Sequence, residues 1–275
     1  IELLPIRMGT PVWFSEGLSK LPHELKTIRP TFFLAPPRVW ERVYSSITTE
    51  VRKRPAAAQK LFAGALGLGF EVARRREQGR PIPAVMRAGL KLADKLVFSK
   101  IRERLGGRLR IAASGAAPLG KHLADFYAAI GMPLTEGFGL TEGGVIALSP
   151  IGMPRSGSVG KALPGVEWKL SDEAELLVKS PTVFSGYYKD PAATAAVLKD
   201  GWLHTGDLAE LDQDGFLYIT GRKKEMIISS NGKKIYPSRI ENMFKTEVII
   251  NQVVVIGDGQ PYMTALFTVN PLDGD

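Results

Sequence analysis

The apolar positions fall into two regimes along the chain. Over 38–52, Trp40, Val43, Tyr44, Ile47 and Val51 recur at three- and four-residue intervals, which predicts a helix with one buried face. Leu90, Ala93, Val97, Ile101 and Leu105 predict another over 87–105. The stretch between them, 55–85, is rich in Ala, Arg and Gly and ends in Arg-Pro-Ile-Pro, which reads as a helix followed by a surface loop. A buried strand is expected at 109–113. A helix burying Leu123, Phe126, Tyr127 and Ile130 is expected at 121–130. Strand and helix in alternation predict an α/β layered fold with a parallel sheet.

From about 145 the pattern changes to short strands, at 145–148, 176–179 and 216–219, with a Gly- and Pro-dense connector over 150–165. Asp212-Gln213-Asp214-Gly215 reads as a hairpin turn, its glycine supplying a positive φ. A second, α+β unit is expected from Arg222: a strand at 226–229, a turn at 229–232, a helix at 237–245 opened by Pro237, and strands at 253–256 and 264–269. The expected division is therefore 1–221 and 222–275. No internal repeat or low-complexity segment interrupts this pattern.

Composition narrows the classes. The 275 residues are 44% hydrophobic, ordinary for a chain with a real core. No apolar run reaches the roughly 18 residues of a membrane span. Zero cysteines exclude disulfides and thiolate metal sites and fit a reducing compartment. No secretory signal is visible, so the expectation is a cytoplasmic protein, with peripheral membrane contact left open. The net charge of +8 favours anionic partners or is a solvated basic surface. Arg74-Arg75-Arg76 sits in a helical stretch without interleaved aromatics, and no nucleic-acid module is recognisable, so no nucleic-acid partner is expected.

Candidate chemistry centres on Gly-Phe-Gly-Leu-Thr-Glu at 137–142. It puts an aromatic face, a hydroxyl and a carboxylate within six residues of glycine-rich backbone. A purine nucleotide on magnesium needs that set: a ring to stack on, a donor to a phosphate oxygen, and an oxygen ligand for a hard cation. The plainer alternative is a turn with a buried Phe and an exposed Glu. Gly115 to Lys121, Gly-Ala-Ala-Pro-Leu-Gly-Lys, matches the spacing of a phosphate-cradling loop. Two departures argue against that: His122 stands where Ser or Thr should meet magnesium, and Pro118 removes an amide donor. Asp207 and Arg222 read either as nucleotide contacts or as a surface pair, and His204 as structural.

Longer motifs carry a resemblance. Residues 201–225 read Gly-Trp-Leu-His-Thr-Gly-Asp-Leu-Ala-Glu-Leu-Asp-Gln-Asp-Gly-Phe-Leu-Tyr-Ile-Thr-Gly-Arg-Lys-Lys-Glu. With 137–142, Arg-Pro-Thr-Phe-Phe-Leu-Ala-Pro-Pro-Arg-Val-Trp-Glu-Arg at 29–42, Ser-Gly-Ala-Ala-Pro-Leu-Gly at 114–120 and Val-Phe-Ser-Gly-Tyr-Tyr-Lys-Asp-Pro at 183–191, the chain resembles the acyl- and aryl-adenylate-forming ligases. Among these it is most similar to the long-chain fatty acyl-CoA synthetases.

The resemblance implies the C-terminal part of a large layered adenylating domain, with helices, a parallel sheet and a small β-rich subdomain, followed by the start of a small mobile domain. It implies ATP-dependent activation of a fatty acid to acyl-AMP, then transfer to CoA, with Mg2+ as cofactor. Other adenylating ligases acting on aryl acids or carrier proteins, and an inactive nucleotide- or acyl-binding module, remain alternatives. By the same resemblance Gly115, Ala116 and Ala117 run along adenine, where small residues permit close backbone approach. Phe138 stacks on adenine between Gly137 and Gly139, Thr141 bonds the α-phosphate, and Glu142 ligates magnesium. Asp207 takes the ribose hydroxyls and Arg222 the ribose or phosphate. Gly221 is a hinge, and Gly232-Lys233 a turn used in the thioester step. The family's phosphate loop and late adenylation lysine have no counterpart here, Lys245 being the last lysine, so an internal fragment, inactive alone, is expected.

Overall fold

Parallel strands alternate with helices in the first half of the chain. The computed structural model describes residues 3–151, 155–244, 247 and 249–269. Two short helices, α1 (Leu3–Met8) and α2 (Leu21–Ile28), precede β1 (Phe32–Ala35). Helix α3 (Pro37–Arg52) begins at proline, whose restricted φ suits a first helical turn. It is followed by α4 (Ala56–Glu77), α5 (Ala84–Ala93) and α6 (Ser99–Glu103). One wide i→i+5 turn, Asp94–Phe98, joins α5 to α6, so the helix expected at 87–105 is a continuous run with a local widening. The half closes with β2 (Ile111–Ser114), α7 (Lys121–Ala129) and β3 (Leu134–Leu140). β1, β2 and β3 lie side by side and parallel, Leu34 opposite Ala113 and Ala113 opposite Thr135.

Trp40 ties these layers together. It has no exposed surface, and its indole N–H is shared between the carbonyls of Ala35 (3.2 Å) on β1 and Ala113 (3.3 Å) on β2. The Tyr127 hydroxyl on α7 donates to the Trp40 carbonyl at 2.8 Å, and the two rings meet edge to face. The buried polar ends of both aromatics are thus paired, as burial requires.

β3 continues past the parallel sheet. Residues 137–140 pair antiparallel with β4 (Gly144–Leu148), which pairs in turn with β5 (Lys161–Ala162). The β-rich part adds β6 (Glu167–Leu170), β7 (Glu175–Lys179), α8 (Pro191–Val197), β8 (Leu198–Lys199), β9 (Trp202–Leu211) and β10 (Leu217–Arg222). They form an antiparallel sheet in the order β10-β9-β7-β6, with β8 paired to the start of β9. Its core gathers Ile146, Leu176, Val178, Ala209 and Leu217, separate from the Trp40 cluster. The β9–β10 turn is the expected one: Asp212 accepts from the amides of Asp214 and Phe216, and Gly215 has φ +77°. Arg155 pairs with both Asp212 and Asp214 and stacks over Phe216. Residues 152–154 of the expected connector lie outside the described residues.

After a short helical turn at Lys223–Glu225 come β11 (Ile227–Ile228), β12 (Lys234–Ile235), α9 (Pro237–Phe244), β13 (Ile250–Ile256) and β14 (Thr264–Val269). α9 packs on both β13 and β10. Lys245, the expected end of that helix, lies outside the described residues. No described helix is long and apolar enough to cross a membrane. The α/β expectation, parallel sheet first and β-rich part second, agrees with this architecture.

One buried acid stands in the first sheet. Glu136 on β3 lies opposite Ser114 on β2 and is 7% exposed. Burial pushes its carboxyl up to about 8, against a smaller opposing effect from the Leu119 amide. The folded state therefore holds this proton more tightly than the unfolded chain does. The stabilisation is complete below about pH 4.5 and is lost as pH rises towards about 8.

Two outcomes are expected. Trp40→Ala removes a fully buried indole that bridges two strands and should cost about 3–5 kcal/mol in chemical denaturation; a loss under ~1 kcal/mol would contradict the bridging role. Glu136→Gln keeps an acceptor for Leu119 but cannot ionise. Its stability relative to the parent should rise between pH 5 and pH 9, read from denaturation midpoints, and a pH-independent difference would be the contrary result.

Candidate functional site

The site forms where β3 passes from the parallel sheet to the antiparallel one. Gly115 follows β2 and Gly137 is the next residue of β3, so the two glycines are neighbours across the parallel pair. A Cβ on Gly115 would sit 3.6 Å from the Gly137 carbonyl, an ordinary contact. The strip Gly115–Ala117 is therefore small by sequence and half-exposed to exposed in the fold. Ala116 holds φ +69°, a left-handed conformation that costs a non-glycine residue some strain. That strain turns the chain sharply after β2 and presents its backbone outward.

Gly139 is required for a different reason. A Cβ there would come 2.4 Å from the Gly144 carbonyl, because β3 and β4 approach closely at a bulge between Phe138 and Gly139. Phe138 is half-buried and packs against the β-rich core, so only part of its ring is left for a ligand. Of the two readings of the hexapeptide, the residues through Leu140 are strand, and Thr141 to Gly143 form the turn. Thr141 is exposed and Glu142 half-buried at that turn.

Asp207 lies on β9, opposite Arg222 on β10. It is 2% exposed. Its Oδ1 meets Arg222 Nε at 3.0 Å, while its buried Oδ2 has no protein hydrogen-bond partner. An ionised oxygen in that state is costly unless something donates to it. Burial raises the Asp207 pKa, the Arg222 guanidinium opposes the rise, and the charges of Glu225 and Glu142 add to it. The Glu142 contribution is the smallest of these, and Asp207 stands in the middle of β9.

A second buried acid braces this corner. Glu175 on β7 accepts from the Gly206 amide at 3.1 Å and pairs with Lys223 at 3.3 Å, and His204 Nδ1 lies 3.7 Å from it. Lys223 also pairs with Glu173 at 2.5 Å. The signal for Glu175 was only a lone acid in an apolar strand, and Glu136 likewise had none beyond its place before Gly137. Both were missed as site residues because burial is not visible in residue type.

The remaining candidates fall at the edge. Gly221 is paired with Leu208 inside β10, at a bulge, and packs against Tyr236. Backbone free of sheet pairing begins only at Lys223–Glu225. Gly232, with φ +78°, and Lys233 form a hairpin turn whose bonds run to Ser229 and Asn231. The structure sets Gly115 beside Gly137 across β2 and β3, pairs Asp207 with Arg222 across β9 and β10, and puts Gly232-Lys233 on a separate hairpin. No described group of three or more His, Cys, Asp or Glu residues could hold a metal ion. A single carboxylate suits a cation that arrives with phosphate ligands and its own waters, as Mg2+ does, so Glu142 fits that role.

Comparison with known proteins identifies the family. The family model for AMP-binding enzyme matches residues 1–188, and that for AMP-binding enzyme C-terminal domain matches 224–273. The long-chain-fatty-acid–CoA ligase FadD15 of Mycobacterium tuberculosis is 40% identical over 273 residues, covering 98% of this chain and 45% of that protein. The peroxisomal long chain acyl-CoA synthetase 6 of Arabidopsis thaliana is 33% identical, covering 98% of this chain and 40% of its own length. The chain thus spans less than half the length of these curated relatives. Among solved structures, the adenylation domain of a carboxylate reductase from Mycobacterium chelonae superposes with TM-score 0.70 at 27% identity, over 94% of this chain and 37% of that one. The anthranilate CoA ligase AuaEII, in complex with anthranoyl-AMP, shares the fold at TM-score 0.66 and 20% identity, over 97% of this chain and 45% of that one. On sequence and fold, the chain belongs to the AMP-binding enzyme family.

Proposed function

We propose that this chain forms the nucleotide-holding part of a long-chain fatty acid–CoA ligase. The full-length protein joins a fatty acid carboxylate to AMP with release of pyrophosphate, then passes the acyl group to the CoA thiol. The observation that carries the reading is Asp207: a buried carboxylate with one oxygen on Arg222 and the other lacking a protein donor. In this reading the vicinal diol of ribose supplies the missing donor once the nucleotide enters, and the glycine strip and Phe138 suit its adenine. The names of the relatives, long-chain ligases at 33–40% identity, favour the fatty acyl substrate.

In this reading Gly115–Ala117 and Phe138 take the two faces of adenine, Asp207 and Arg222 hold the ribose, and Thr141 donates to the α-phosphate. Glu142 would hold Mg2+, which when bound neutralises charge on the phosphates. The chain's own contribution to the first step is preorganisation: donors and ligands stand fixed before charge develops. The domain boundary falls at the end of β10, with 222–275 the start of a mobile domain. The match of the second family model from 224 supports that division. Freedom for the rotation lies in the Lys223–Glu225 turn beyond Gly221, and Lys233 acts only after it, in the thioester step.

The deciding experiment is acyl-AMP and acyl-CoA formation by the full-length protein across a series of carboxylic acids. Turnover that peaks with long alkyl chains is expected, and preference for aryl acids would replace this reading. Phe138→Ala should weaken AMP binding by roughly 1–3 kcal/mol in calorimetry below the variant's melting temperature, the usual worth of a base–aromatic stack; unchanged affinity would assign the ring to the core alone. Asp207→Ala should raise KM for ATP more than it lowers kcat, because the ribose is the same in ground and transition states. Glu142→Ala should instead depress kcat. The reverse pattern would exchange the roles of the two carboxylates.

A further inference from the structure

The segment between β7 and α8 is fastened onto the Thr141–Glu142 turn, although none of the roles above uses it. Thr182 Oγ1 donates to the Gly143 carbonyl at 2.6 Å, and the Phe184 amide donates to the Glu142 carbonyl at 2.7 Å. The third bond is to the side chain: Tyr187 Oη donates to Glu142 Oε1 at 2.7 Å. Glu142 is therefore held at backbone and carboxylate by one short stretch of chain.

Tyr187 is itself fixed. Its amide donates to Thr194 Oγ1 at 2.9 Å, and the Asp190 amide donates to its carbonyl at 3.3 Å. The Phe184 ring meets it edge to face at 4.8 Å. Gly186 before it holds φ +145°, where a Cβ would lie 2.8 Å from Thr194 Cγ2, so a side chain is excluded from that link. The phenol is still 38% exposed, and its ring is not part of either core cluster.

We propose that Tyr187 is a positioning residue for Glu142, holding one carboxylate oxygen so that the other is presented to a divalent cation arriving with nucleotide phosphates. The inference rests on the nucleotide-ligase reading above. A ligating carboxylate whose second oxygen is hydrogen-bonded loses less freedom on binding the ion, and removal of such an outer partner commonly weakens metal affinity 10- to 100-fold. Among the described residues its hydrogen bonds run to Glu142, Thr194 and Asp190, and of these only Glu142 is a candidate site residue, so its effect is expected on the cation.

The test uses the full-length protein with Mn2+ as the probe, its binding in the presence of ATP followed by electron paramagnetic resonance, and metal-free AMP binding followed by calorimetry. Three proteins are compared: parent, Glu142→Gln and Tyr187→Phe. The phenylalanine keeps the ring and its packing on Phe184, and intact AMP affinity shows that the site is folded. Tyr187→Phe should bind Mn2+ roughly tenfold more weakly in the presence of ATP, with AMP affinity unchanged, and Glu142→Gln should weaken Mn2+ at least as much. Equal loss of Mn2+ and AMP affinity in Tyr187→Phe would make the tyrosine a general structural brace and overturn the inference. So would unchanged Mn2+ affinity in Tyr187→Phe beside a weakened Glu142→Gln, which leaves the ligase reading standing. Unchanged Mn2+ affinity in Glu142→Gln would remove the ligand itself, and with it both the inference and the proposed role of the site.

Discussion

β3 belongs to two pairings at once, and the candidate site depends on that. Its first three residues, Leu134 to Glu136, hydrogen-bond in parallel to β2, and its next four, Gly137 to Leu140, pair antiparallel with β4. The pairing with β4 carries a bulge at Phe138/Gly139, where the Gly144 carbonyl comes too close for any Cβ. Two parts of the candidate site lie along this strand: Gly115 beside its parallel end, and the Thr141–Glu142 turn after its antiparallel end.

The two halves meet this strand with separate cores. The first is gathered on Trp40 and α7, the second on Ile146, Leu176 and Leu217. A site at the seam between two packed units inherits their rigidity without lying inside either. Fixed donors at such a seam need no reorganisation when charge develops, which is the physical basis of electrostatic catalysis. Three acids in these sheets are buried. Glu136, Glu175 and Asp207 are all under 10% exposed, and each is treated differently. Glu136 is pushed towards its neutral form, Glu175 is matched by Lys223 and the Gly206 amide, and Asp207 is matched on one oxygen only. Incomplete satisfaction of a buried carboxylate is expensive in a structural role and expected at a ligand site.

The amino-acid sequence by itself determined the elements with strong periodicity and the motifs with fixed chemistry. α3, α7, β14 and the Asp212–Gly215 turn appear where spacing and turn residues place them, because local propensity and burial pattern agree there. β9 was legible only as a motif: its Thr-Gly-Asp centre breaks the alternation that marks a strand. The candidate set Gly137–Glu142, Asp207 and Arg222 was likewise readable, because nucleotide chemistry restricts residue types at short spacing. Only the tertiary structure decided which of these groups meet. Pairing of Asp207 with Arg222, the coupling of Glu142 to Asp207, the grip of Tyr187 on Glu142 and the raised pKa of Glu136 join residues up to dozens of positions apart. Each depends on distance and on exclusion of water, and neither quantity is written in the order of the residues.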